Sequence, residues 1–146
     1  MPIANYSTTV TAQKSLGEIQ GILVGHGAKA IILRYDDKGE PIGLDFLVKT
    51  QFGDIPFRLP ANIEKVQAVL DRQRVRLSVG REMASRVAWR ILKDWVRAQM
   101  AILETEMVSM EQIFLPYMRT GKWDKTLFEI MVNNRLALPE GKETDA

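Results

Sequence analysis

Residues 29–59 read KAIILRYDDKGEPIGLDFLVKTQFGDIPFRL, and within them the apolar period is two. Ile42, Leu44, Phe46 and Val48 alternate with Gly43, Asp45, Leu47 and Lys49, so one side-chain set lies on each face of a strand and one face is buried. Lys29 to Tyr35 is a compact β-branched run before it. Asp36-Asp37-Lys38-Gly39 stops that run with residues that tolerate left-handed backbone or bond their own turn. Phe52-Gly53-Asp54 turns the chain again, and Ile55, Phe57 and Leu59 then alternate with Pro56 and Arg58. Pro56 has no N–H for a ladder, so the third strand is expected to be an edge strand or an irregular one. The stretch predicts an antiparallel meander.

Outward from the meander the period lengthens. Upstream, Tyr6 to Val10 reads as a short strand, and Ser15-Leu16-Gly17-Glu18 has the form of a capping box. Leu16, Ile19, Leu23 and His26 follow at helical spacing, predicting a helix at about 15–26 that Gly25 or Gly27 ends. Downstream, Asn62 caps a helix carrying Ile63, Val66, Val69 and Leu70. Residues 73–79 read as a short strand or an exposed basic loop. A long helix is expected over about 82–107. Ser109 to Gln112 forms a second capping box before a short helix through Phe114 and Tyr117, and a last helix covers 124–132. Strands come early and helices late: an α+β fold, β-α-β-β-β followed by a helical half. Residues 1–138 are read as one domain and 139–146 as a polar tail.

Composition excludes several chemistries. At 146 residues with 46% hydrophobic content, the chain is long enough to bury roughly 68–70% of its unfolded surface. It has no Cys and one His, which removes disulfides, thiolate nucleophiles and Cys- or His-clustered metal sites. His26 falls near a helix C-terminus, where an imidazolium is favoured, and is read as structural. Gly21 to Gly27 matches neither a phosphate-binding loop nor the dinucleotide fingerprint. Asp36, Asp37 and Glu40 are read as a polar turn rather than a cation site, and no cofactor is expected. No stretch has the length of a membrane span, and no secretory signal is read at Met1 to Gln13, so the expected location is cytoplasmic.

The charge is uneven. Residues 61–99 carry nine Lys/Arg against four Asp/Glu, a balance of +5 in a chain of net charge +2. In the long helix, Ala84, Ala88, Ile91, Trp95, Ala98 and Ile102 form one apolar stripe at 100° per residue, and Trp89, Leu92, Val96 and Leu103 a second. Two buried sides leave a basic ridge of Arg86, Arg90, Lys93 and Arg97 over about 16 Å, and one stripe is free to meet a second subunit. The competing reading of the ridge is a solvated face with Glu82–Arg86 and Arg90–Asp94 as i,i+4 pairs.

Tyr6-Ser7-Thr8-Thr9-Val10, Gly17-Glu18-Ile19-Gln20, Phe57-Arg58-Leu59-Pro60-Ala61-Asn62, Arg86-Val87-Ala88-Trp89-Arg90-Ile91-Leu92-Lys93-Asp94-Trp95 and Phe114-Leu115-Pro116-Tyr117-Met118 resemble a group of small phage- and prophage-encoded proteins. The resemblance implies a mobile-element context and no catalytic residue. Beside the basic segment, the expected function is non-enzymatic binding of single-stranded nucleic acid in replication or recombination. Arg72, Arg74, Arg76, Arg81, Arg86, Arg90, Lys93 and Arg97 would neutralise phosphates, and Tyr35 or Phe52 would stack on bases. The alternative is an interaction module that inhibits a host protein or sequesters a nucleotide, with the same arginines gathered into a pocket, and a homo-oligomer is compatible with either. A metal-dependent nuclease on Asp36, Asp37 and Asp45 is a third reading. An acidic patch neutralising the arginines in the fold would weigh against the first.

Overall fold

The computed structural model describes residues 1–73, 80–121 and 124–134. Helix α1 (Ala12–Gly25) leads into strands β1 (Ala28–Tyr35), β2 (Pro41–Thr50) and β3 (Gly53–Arg58), then helices α2 (Ile63–Arg72) and α3 (Arg81–Glu104). Short elements follow: α4 (Met110–Phe114), a 3-10 turn (Leu115–Tyr117), β4 (Arg119–Thr120), β5 (Lys125–Thr126) and α5 (Leu127–Asn133). The class is α+β. The three long strands form an antiparallel sheet in chain order, with Phe46 opposite Ile31 and Phe57, and Asp45 opposite Ile32 and Arg58. Pro56 lies on the edge strand β3, as its missing donor requires. In the β1–β2 turn Asp36 Oδ1 accepts the Lys38 and Glu40 amides, each at 2.9 Å, and Gly39 takes φ +80°. That carboxylate builds the turn.

The alternation in β2 sets the layers. Leu44, Phe46 and Val48 face the helices, where they bury with Phe57, Leu16, Ile19, Leu23, Trp89, Val96 and Met100. Phe114 closes this core, its ring edge-on to Phe46 at 5.3 Å and to Trp95 at 5.6 Å. Trp89 is fully buried and its Nε1–H donates to the Pro41 carbonyl at 3.0 Å, tying the long helix to the start of β2. A second cluster, Ile63, Leu70, Met83, Ala84, Val87 and Ala88, packs α2 on α3. So α2 covers the first half of the Ala84 stripe, while Ala98 and Ile102 at its other end are exposed.

Four expectations change. Tyr6 to Val10 is not a strand: Asn5 adopts φ +62°, and the Tyr6 and Thr8 amides bond back to Ile3 and Asn5 in turns. β-branched residues favour a strand only where a ladder partner exists, and none meets this segment among the described residues. The first helix begins a turn earlier, capped by Thr11, whose side chain accepts from the Lys14 amide. Ser15 is therefore inside the helix and fully buried, not a cap. The ridge is not uniformly exposed either, since Lys93 is buried beside α1. Finally, a β4–β5 hairpin, with Met118 bridged to Phe57, precedes α5. Two-residue strands are too short for periodicity to register. The helix ends at Ser109 and Thr126 do carry complete capping boxes. The segment 74–79, Trp123 and the tail 139–146 lie outside the described residues.

Candidate functional site

The basic residues singled out above go to different places. Arg72 is exposed in the last turn of α2, where its charge meets the carbonyl end of that helix. Arg81 is held by Glu64 at 2.7 Å and approaches Asp36 at 3.7 Å. Arg86 pairs with Glu82 at 3.2 Å, the i,i+4 partner that the solvated-face reading named. Arg74 and Arg76 fall in the segment outside the described residues. Tyr35 and Phe52 are exposed, 53% and 73%, but they stand at opposite ends of β2, about 30 Å of strand apart. The structure makes no continuous track of this set.

It does bring three of them together. Helices α1 and α3 run side by side in the same direction, with Ser15 and Glu18 against Arg90 and His26 against Glu104. Between them a shallow, widely open groove of about 580 Å3 is lined by Glu18, Gly21, Ile22, Arg90, Lys93 and Arg97. Gly21 leaves one wall low, with no atom within 4 Å of where a Cβ would stand. Arg90 Nη1 donates to Glu18 Oε2 at 2.7 Å and to Ser15 Oγ at 3.4 Å. Lys93 Nζ is 3.8 Å from the same Glu18 oxygen and 3.6 Å from Asp94 Oδ1. Asp94 is shared in turn with Asn5 Nδ2 at 2.9 Å. Arg97 is exposed and has no ion pair among the described residues. Three cations thus line a concavity that holds one carboxylate, with part of the Asp94 charge at the rim. Arg90 is oriented by its two acceptors, Lys93 is pinned by packing, and Arg97 is free to reach an incoming anion.

At the far end of the same seam, His26 Nδ1 lies 2.8 Å from the Ile22 carbonyl and Nε2 lies 3.0 Å from Glu104 Oε1. Both ring nitrogens face acceptors, which suits the doubly protonated imidazolium. The Ile22 carbonyl chiefly, and Glu104 with it, raise the His26 pKa above its ordinary value against the opposing effect of burial. A raised folded-state pKa contributes stability that is complete below the unfolded value of about 6.5 and is lost as pH climbs through the folded value. The melting temperature of wild type should therefore exceed that of His26→Gln most near pH ~5.5, and the gap should narrow by pH ~8.5. A gap independent of pH would show that His26 acts by packing alone.

A second charged cluster went unread in the sequence. On the sheet face turned away from the helices, Asp45 is nearly enclosed, its side chain 5% exposed, by three guanidinium groups. Arg34 Nη2 donates to it at 3.0 Å, Arg58 Nε at 3.1 Å, and Arg119 Nη1 stands 3.1 Å from Oδ2. Gly43 leaves room for this: a Cβ there would come within 2.9 Å of Arg34 Nη2 and push the guanidinium from its present path across β2. Alternation places Arg34, Asp45 and Arg58 on one face in the sequence, but the meander register puts Arg58 opposite Asp45, and Arg119 comes from 74 residues further on.

Comparison with protein-family models, with curated proteins and with solved structures finds no match. Among the described residues, no group of three or more His, Asp or Glu is placed to hold a metal ion. None of the described helices is long and apolar enough to cross a membrane.

Proposed function

We propose that this chain is a non-enzymatic binding protein for the phosphate backbone of single-stranded nucleic acid, and that its seat is the α1–α3 groove. The observation that carries the reading is the convergence of Arg90, Lys93 and Arg97 on a concavity containing one carboxylate. Arginine offers a planar fork to phosphate oxygens, and Lys93 supplies a compact point charge beside it. Arg81 and Arg86 are paired with carboxylates outside the groove, and within it Glu18 offsets one of the three cations, which makes the contact local: a few phosphates, not a long track. Neither Tyr35 nor Phe52 lines the groove, so base stacking on them is not part of this reading.

Anisotropy of a labelled single strand of ~30 nucleotides, titrated at several salt concentrations, tests it. Binding should weaken with salt by about 0.7 in the log–log slope per phosphate engaged. Arg97→Glu should lower that slope by about one such unit, while Arg72→Glu, remote from the groove, leaves it unchanged. No binding at low salt would end the nucleic-acid reading. Equal affinity for a mononucleotide and the 30-mer, both weakened by Arg97→Glu, would overturn the strand reading in favour of a nucleotide-sequestering pocket.

A further inference from the structure

The arginine cluster on the open face of the sheet has more cation than anion. Arg34, Arg58 and Arg119 face two carboxylates: buried Asp45 and Asp124, whose side chain is 67% exposed. The two acids differ in kind. Asp45 stands on the central strand and fixes the guanidiniums from beneath. Asp124 belongs to the β4–β5 hairpin, holds a left-handed backbone at φ +50°, and reaches Arg58 Nη2 at 3.0 Å and Arg119 Nη2 with one oxygen, Oδ1. Arg58 and Arg119 keep its carboxyl below the usual range, with Arg119 the larger influence. Arg119 Nε is buried with no acceptor, a donor in the cluster that nothing uses. Beside Arg58 lies a cleft of about 470 Å3 whose walls include Asn62, Lys65, Tyr117 and Phe128.

We propose that Asp124 occupies the seat of an external phosphomonoester, which displaces it from Arg58 and Arg119 while the rest of the ligand lies in the adjoining cleft. Charge matches: with Asp124 swung out, three guanidiniums against Asp45 leave +2 at the seat, the complement of a phosphomonoester dianion, and in the adjoining cleft Lys65 and Glu129 balance one another. Geometry matches as well. Arg58 and Arg119 are already oriented by Asp45, so phosphate meets preorganised forks. The exposed ring of Phe128 (58% exposed) and the half-buried ring of Tyr117 that lines the cleft beside it, with Lys65 nearby, suit a flat heterocycle such as a nucleobase. This site lies on the opposite side of the sheet from the α1–α3 groove and does not depend on the reading of that groove.

An intrachain competitor lowers apparent affinity by the fraction of time the seat is open, and removing it restores the difference. Calorimetric titration of the full chain with inorganic phosphate, adenosine 5′-monophosphate and adenosine tests this. Asp124→Asn is the informative variant, because asparagine accepts the left-handed backbone at that position and leaves the hairpin intact. It should tighten both phosphate-bearing probes about tenfold, with the nucleotide ahead of inorganic phosphate and adenosine not bound. Arg119→Lys in the Asp124→Asn background keeps the charge that Asp45 needs but removes the fork, and should return the affinity to the wild-type level or below. Unchanged or weaker phosphate binding by Asp124→Asn overturns the proposal, as does tightening that Arg119→Lys does not reverse.

Discussion

Asp45→Ala should cost about 3 kcal/mol of folding stability, read by urea unfolding, and lower the melting temperature by roughly 10 °C. The physical reason is the asymmetry of a buried ion cluster. A well-made pair in the interior gains little over apolar packing, but removing one partner leaves the other charges desolvated without compensation. Here one carboxylate serves three guanidiniums, and the side chains of Arg58 and Arg119 are only 18% and 26% exposed. That partial exposure places the figure at the lower end of the range for buried pairs. Asp45→Asn separates charge from hydrogen bonding, since the amide oxygen still accepts but carries no charge. Little recovery by Asn would assign the cost to charge compensation, and a change below about 1 kcal/mol for Asp45→Ala would show that the arginines find water instead.

Trp89→Ala should be the more damaging, at about 4 kcal/mol. Trp89 is fully buried where α3 meets both the sheet and α1, so the lost indole leaves a cavity that the close packing around it prevents from collapsing. The Pro41 carbonyl also loses its 3.0 Å donor, a desolvation penalty of about 1–3 kcal/mol wherever water cannot enter. Trp89→Phe isolates that second part, because most of the volume stays. Unfolding midpoints should rank wild type, Phe, then Ala, with Phe nearer to wild type. Equal losses for Phe and Ala would mean that the hydrogen bond, not the cavity, dominates.

Local chemistry alone determined much of this molecule. The two-residue alternation at 42–48 placed a half-buried strand in the middle of a meander, Pro56 put β3 on an edge, and Asn62 and Ser109 marked helix starts. These signals act over a few residues, through pleat geometry, a missing N–H and an amide needing an acceptor, and no distant partner can reverse them. Where a local signal had two solutions, tertiary contacts chose. Ser15 looked like a cap, but Thr11 supplies that oxygen one turn earlier, and Ser15 turns inward to Arg90. Tyr6 to Val10 had strand composition but no strand among the described residues to pair with.

The charges show the limit most plainly. A +5 segment is legible in the sequence; its partial neutralisation from outside is not, because Glu18 meets Arg90 across 72 residues and Asp36 approaches Arg81 from the β1–β2 turn. The helical ridge of Arg86, Arg90, Lys93 and Arg97 follows from spacing alone, but which members face solvent was decided by α1 lying along it. Electrostatic partners are chosen by distance in space, and that distance exists only once the sheet register and the α1–α3 packing bring remote side chains within a few ångströms.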